Sequence, residues 1–303
     1  VWIDHFLDGP QENSAAQYFV AGQITDDTSM AIAVADSIIE CKGKIDPASI
    51  GRHILSWAEN FDAFSKNILG PTSKVALTAL RNNIPIQDIA NLGMTNGAAM
   101  RAVTLGCLMP PRPIDQFVLE TRAASSATHK SDISVAAAVV IGWAISSSIE
   151  GNDWSDTLAA LPELASATQT RFGNTFSASL RARIELAIEV VHRTPEAVAG
   201  SQAIYDLIGA GTNAIESVPA AIAMVELSEQ DPNICAELCA NLGGDTDTIG
   251  AMATAICGSI SGPDKIKQSY IDKIDSVNAI DFRLYRDLFA GYRATRKNES
   301  SNI

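Results

Sequence analysis

The chain has 303 residues, 47% of them hydrophobic and 19% charged, with a formal net charge of −13 at pH 7. This excludes a disordered chain and allows a large core that needs no covalent staples. The acidic balance excludes nucleic acid as a general partner, and any anionic ligand would need a local positive element.

The chain starts at Val1 rather than a methionine, so an upstream segment is expected. Helical spacing first appears at 29–39, directly after Thr25-Asp26-Asp27-Thr28. At 46–61, Asp46 is the expected cap and Pro47 the first-turn residue, with apolar residues at 50, 54, 55 and 58. The same spacing recurs at 71–83, 112–127, 131–149, 153–169, 177–193, 213–229, 231–243, 248–261 and 281–297. The links are short and hold Gly, Pro, Asn and Asp, and no strand alternation recurs. The expected architecture is all-α, a compact multi-helix bundle forming one unit over 1–303.

Two helices stand out. The uncharged run 133–149 is short for a membrane span and carries four serines, so it reads as a buried core helix. The helix at 248–261 has Gly250, Ala251, Ala253, Thr254, Ala255, Gly258 and Ser259 almost all round, which places it at the expected centre of the bundle. The five cysteines have irregular spacings, and reduced, packing thiols in a cytoplasm are expected. Trp57, Trp143 and Trp154 read as core, and His5, His53 and His192 belong to no constellation. Arg101 is expected to tie a loop to a buried carboxylate, with phosphate binding as the alternative.

The chemistry concentrates in two matching stretches, "TDDT" at 25–28 and "GGDTDTIG" at 243–250, each opening a helix of small residues. Asp and Thr are ordinary helix caps, and one such cluster alone reads as capping. Two at the mouths of core helices can instead bring Asp26, Asp27, Asp245 and Asp247 to one place. Two unit charges 4 Å apart repel by roughly 4 kcal/mol at an effective dielectric of 20. Four carboxylates in a partly buried site therefore need protons or a cation. All the donors are hard oxygens, which suits Mg²⁺, Mn²⁺ or Ca²⁺ and not zinc. Gly243 and Gly244 free the loop so that Asp245 and Asp247 can converge.

Taken in order, "TDDT", "TNGAAMRAVTLG" (95–106), "THKSD" (128–132) and "LGGDTDTIGA" (242–251) resemble the ADP-ribosylglycohydrolase family over about residues 22–262. The resemblance implies the orthogonal helical bundle of that family, with two Mg²⁺ or Mn²⁺ ions held by Thr25, Asp26, Asp27, Asp245, Asp247 and Thr248. It implies hydrolysis at the ribose C1 of an ADP-ribosyl group, with Asp26, Asp27 and Asp245 as the catalytic set. It assigns Gly93, Met94, Thr95, Asn96 and Gly97 to a phosphate-and-ribose loop whose amides cradle a diphosphate. Gly211 and Thr212 fall in a second loop near the adenosine end, and His129 at a position that touches the nucleotide or supports the helix start. "LGPTSK" (69–74) matches a further glycine-containing loop.

The family's opening Gly-Asp-x-x-Gly-x-x-x-Glu segment has no counterpart here, and Glu12 stands in a different context. Met94 and Thr95 also depart from the residues usual in the acceptor hydrolases. The expected substrate is a small-molecule or protein-linked ADP-ribosyl group. The alternatives are N-glycoside cleavage of a free or modified nucleoside or nucleotide at the same metals, and a catalytically silent ribosyl-binding or structural protein. No membrane partner is expected, and the chain is expected to be a monomer or weak homo-oligomer.

Overall fold

Among residues 2–300, which the computed structural model describes, fifteen α-helices form and no strand does. They are α1 (Asp26–Glu40), α2 (Pro47–Asn60), α3 (Pro71–Arg81), α4 (Gly97–Met100), α5 (Ala102–Leu108), α6 (Ile114–Ser125), α7 (Asp132–Ile149), α8 (Trp154–Arg171), α9 (Leu180–Arg193), α10 (Ala197–Leu207), α11 (Ala214–Leu227), α12 (Pro232–Ala240), α13 (Thr246–Ser261), α14 (Gln268–Val277) and α15 (Phe282–Ser300). All eleven helical patterns form helices. Four helices escape the pattern. α4 and α5 are short and meet at Arg101, so neither offers enough turns for a period to show. α10 is capped by Glu196, which accepts from the Val198 and Ala199 amides where a serine or aspartate is usual. α14 has no side-chain cap at Lys267 and no fully buried residue.

The centre belongs to α7. Every residue from Asp132 to Ser148 is buried except Trp143. This is the one helix among the described residues that is long and apolar enough to cross a membrane, and the rest of the fold covers it. Its close neighbour is α5. A Cβ on Gly106 would lie 2.6 Å from the Gly142 carbonyl, so only glycine permits that approach. Two apolar clusters flank α7. Val135 and Val139 join α1, α2, α5 and α6, while Ile133, Ala136, Val140 and Ala144 join the helices from α8 to α13.

The expectation of a central α13 is not met. Ile249, Met252, Ala253, Ile256 and Cys257 are buried, whereas Gly250, Ala251, Thr254, Ala255 and Gly258 remain half-exposed. Small residues permit close packing but do not demand it. The larger side chains, three and four apart, select one face of α13. No disulfide links the five cysteines, three of which are buried.

α1 comes from one apolar cluster and α13 from the other. Their N-terminal ends meet at the seam, with α4 packed against both and against α7. Asn278, at the end of α14, fixes the approach to α1 by accepting from the Ile24 amide at 3.0 Å and donating to the Gly22 carbonyl at 2.8 Å.

Candidate metal centre and ligand cavity

The two Asp/Thr clusters do not act as side-chain caps. Asp46, Ser131, Ser179 and Asp231 each accept backbone amides at the heads of their helices. Thr25 and Asp245 occupy the equivalent positions on α1 and α13 and make no such bond. The Thr25 hydroxyl donates instead to Asp27 Oδ2 at 2.8 Å, and Asp245 Oδ2 accepts from Asn96 Nδ2 at 2.6 Å.

One carboxylate oxygen from each of Asp26, Asp27 and Asp247 lies within 4.8 Å of the others. Asp27 is 1% exposed, and its Oδ1 is buried with no hydrogen-bond partner. A buried carboxylate oxygen left unpaired is costly and invites either a proton or a cation. The electrostatics follow from the crowding. Burial, then the Asp247 charge, push Asp26 up to about 7. Burial, then Asp247 and Asp26, hold Asp27 well above the usual carboxylate range, opposed by the Thr25 and Thr248 hydroxyls. Burial also pushes Asp245 up to about 6, against the Asn96 hydrogen bond and with the Asp247 charge. The donor set of carboxylates and hydroxyls fits a hard divalent ion with oxygen ligands.

Asp245 and Asp247 straddle the start of α13, which begins at Thr246 rather than at 248. The turn before it needs Gly243 and Gly244, at φ +92° and +70°. A Cβ on Gly244 would lie 2.1 Å from the Ala210 carbonyl, the same oxygen that accepts the Asp245 amide at 2.7 Å. Gly244→Ala is therefore expected to destabilise the chain by about 1–3 kcal/mol, read as a lower denaturant midpoint, and to displace Asp245.

These groups open on a cavity of about 540 Å³, a size ordinary for small-molecule sites. Thr25, Asp26, Asp245, Asp247 and Thr248 line one side, and Thr95, Asn96, Gly97 and Thr212 line another. Gly70, Pro71 and Ser73 of the "LGPTSK" stretch also reach it, and Phe6, Leu7, Phe19 and Val20 from the first residues form an apolar wall. Gly93, Met94, His129 and Gly211 do not line it.

The two loops are stitched together. The Asn96 amide donates to the Thr212 carbonyl at 3.0 Å, and the Ala214 amide to the Met94 carbonyl at 3.0 Å. The Gly93 amide is taken by Asn91 Oδ1 at 3.3 Å, so two amides of the expected diphosphate cradle, those of Gly93 and Asn96, are already committed. Gly211 donates its amide to Glu216 at 2.9 Å. His129 is fully buried behind the loop. Its Nε2 meets the Thr95 hydroxyl at 2.9 Å and its Nδ1 the Thr128 hydroxyl at 2.8 Å, and a Cβ on Gly97 would come within 2.7 Å of its ring. Arg101 does not reach a carboxylate as expected. It donates to the Gly97 carbonyl at 2.7 Å and to the Thr128 hydroxyl. The bond between Asn96 and Asp245 had no signal in the sequence, because the partners are 149 positions apart.

The profile of the family described as ADP-ribosylglycohydrolase matches residues 3–298. The chain is 54% identical over 296 residues to the uncharacterised Escherichia coli protein YegU, covering 98% of this chain and 89% of that one. It is 25% identical to human ADP-ribosylhydrolase ARH3, over 89% of this chain and 78% of that protein. It is 24% identical to the ADP-ribosyl-[dinitrogen reductase] glycohydrolase of Rhodospirillum rubrum, over 84% of this chain and 74% of that one. A solved structure titled as an ADP-ribosylglycohydrolase-related protein complex superposes with a TM-score of 0.66 at 19% identity, covering 98% of this chain and 87% of that one.

Proposed function

Because the chain belongs to the ADP-ribosylglycohydrolase family, we propose that it is a metal-dependent hydrolase that cleaves the glycosidic bond at the ribose C1 of an ADP-ribosyl group. The observation that carries this reading is the unpaired, buried Asp27 Oδ1, within reach of Asp26 and Asp247 at the edge of the cavity. Asp26, Asp27 and Asp247 would hold a Mg²⁺ or Mn²⁺ ion, with the hydroxyls of Thr25 and Thr248 beside them. Asp245 would complete a set large enough for two ions. A divalent ion in this set supplies Lewis acidity toward ribose hydroxyls and water.

The remaining work falls to the chain's own residues. Glycoside cleavage passes through an oxocarbenium-like state and needs a base aimed at the attacking water. Asp245 suits that task. Asn96 donates to its Oδ2 and orients the carboxylate at the edge of the cavity. Thr95, Asn96, Gly97 and Thr212 shape the wall that would receive the ribose and diphosphate. Phe6, Leu7, Phe19 and Val20 give the other side an apolar surface.

The test is a turnover assay with Mg²⁺ on ADP-ribosylated peptides, O-acyl-ADP-ribose and a panel of nucleosides. Release of ADP-ribose is the expected result. Cleavage of nucleosides alone would replace this reading by N-glycoside hydrolysis of nucleosides. No turnover, together with ribosyl-ligand binding, would mark a silent binding protein.

A further inference from the structure

The reaction above leaves one wall of the cavity without a task. Residues 3–24 form it as a strap that leads directly into Thr25 and Asp26, so this wall adjoins the candidate metal ligands. Apart from one short turn at Ala16–Tyr18 the strap is irregular, yet it is pinned along its length. Ile3 exchanges two hydrogen bonds of 2.8 Å with the Asn241 side chain. The Gly9 amide donates to the Phe19 carbonyl at 2.9 Å, and the Ala21 amide to Asp8 Oδ1 at 2.8 Å. Aromatic contacts anchor both flanks. Phe6 packs edge-on against Tyr270 of α14 at 5.3 Å, and Phe19 stacks on Phe61 at 5.8 Å, which stacks in turn on Trp57 of α2 at 6.0 Å. Phe6, Leu7 and Val20 nevertheless stay 37%, 54% and 53% exposed. Large apolar side chains fixed beside a cavity and left uncovered mark a ligand-binding surface.

The polar groups of the strap narrow the choice of ligand. Asn13 Oδ1 accepts the Ala15 and Ala16 amides at 3.0 and 3.1 Å, and Gln23 Oε1 accepts the Val20 amide at 3.1 Å. Both oxygens are taken by the strap's own backbone. Both side chains line the cavity, each with an NH₂ that no group among the described residues accepts. The only charged side chains lining the cavity among the described residues are Asp26, Asp245 and Asp247, so the strap itself adds no charge. Apolar and aromatic surface with two amide donors suits a planar ring that presents ring nitrogens or a carbonyl oxygen at its edge. A guanidinium only donates, so it can use neither NH₂ group.

We infer that the strap is the leaving-group subsite, and that its Phe19 ring and amide donors select a planar nitrogen heterocycle on the ribose C1 over an arginine or serine side chain. The inference rests on the hydrolase reading for the position of the ribose, and it adds the class of the group that departs. With the ribose at the carboxylates and the diphosphate along Thr95–Gly97, the strap is the wall left for the C1 substituent. The C1–N bond breaks and its electron pair stays on the ring nitrogen. The water oxygen bonds to C1, and one water proton passes to Asp245. A pyridinium departs as a neutral ring and that proton goes to solvent. A neutral ring departs as an anion and takes the proton up, and the NH₂ donors stabilise the charge that gathers on it.

The test compares kcat/KM with Mg²⁺ on NAD⁺, adenosine, an ADP-ribosyl-serine peptide and an ADP-ribosyl-arginine peptide, for the wild type, Phe19→Leu and Phe19→Tyr. Phe19→Leu keeps the apolar bulk and removes the ring. It is expected to cut NAD⁺ cleavage by about fivefold or more, with any peptide cleavage changed by less than about twofold. Phe19→Tyr, which keeps the ring, should hold NAD⁺ cleavage to within about twofold. Should Phe19→Leu not fold, Phe6→Leu is read in the same way. Peptides cleaved as well as NAD⁺, equal losses on NAD⁺ and peptides, or no loss at all would overturn the inference. Cleavage of the peptides but of neither NAD⁺ nor adenosine defeats this inference alone. Cleavage of adenosine but of no ADP-ribosyl compound defeats the ADP-ribosyl reading alone. Should nothing turn over, calorimetry of NAD⁺ against ADP-ribose decides. Tighter binding of NAD⁺ that Phe19→Leu removes supports the subsite, and equal binding overturns it.

Discussion

Asp27→Asn is expected to abolish Mg²⁺-dependent stabilisation and to cut turnover by about a thousandfold or more. The same variant should leave the metal-free protein at least as stable as the parent. Asp27 Oδ1 is buried and without a partner, and burial beside Asp247 and Asp26 penalises its charge. An asparagine keeps the shape and still accepts the Thr25 hydroxyl through its amide oxygen. It removes a charge that Asp26 and Asp247 oppose, and its NH₂ gives those carboxylates a donor. A residue whose role is only to hold the fold would behave in the opposite way, losing stability when changed.

The measurement is a melting curve with EDTA and with excess MgCl₂. An ion held at a hundred times its dissociation constant adds about 2.7 kcal/mol. That is a rise of roughly 4 °C for a chain of this size. A full Mg²⁺ response in Asp27→Asn would remove Asp27 from the ion site.

The metal-free protein should lose stability as pH rises from 5 to 8, and Mg²⁺ should flatten or reverse that slope. The sign follows from the direction of the shifts. Asp26, Asp27 and Asp245 all sit above their ordinary values in the folded state, Asp26 at about 7 and Asp245 at about 6. Between the unfolded value near 4 and these folded values the native state binds more protons than the unfolded one. Stability therefore falls across that window.

His129 works the other way. Burial and the Arg101 charge hold it neutral, so it costs stability as pH falls below about 6.5. It is one group against three, and it is silent from pH 6.5 to 8, where Asp26 still titrates. Urea midpoints at pH 5, 6, 7 and 8 with EDTA check this, and Asp26→Asn should remove much of the slope above pH 6.5. A midpoint that climbs steadily over the same range would mean that the carboxylates are not crowded in solution.

The long helices were readable because each repeats an apolar face several times, as α2 does with Ile50, Ile54 and Ala58. α4 and α5 were not, since seven residues or fewer give no period. The central position belonged to α7 rather than α13 for a related reason. A run buried at every position but Trp143 leaves no face for solvent, while a helix of small residues with one larger stripe can sit half-exposed.

In the site, the chain's local chemistry already stated the donor type. Thr25, Asp26, Asp27, Asp245, Asp247 and Thr248 are hard-oxygen groups placed at the heads of two helices, and that is a property of composition and spacing. Which of them share an ion is a property of distance. Packing of the N-terminal ends of α1 and α13 against each other and against α4 puts Asp26, Asp27 and Asp247 within 4.8 Å, and Asn96 draws one oxygen of Asp245 aside. Arg101 has the same lesson in it. Its charge was visible in the sequence, but its lack of a carboxylate, and its row through Thr128 and His129 to Thr95, depend on what tertiary contact leaves around it. Sequence sets which groups are available to bind and to react, because that is covalent. Their pairing is set by the fold, because interactions between charges and hydrogen-bonding groups depend on separations of a few ångströms between residues far apart in the chain.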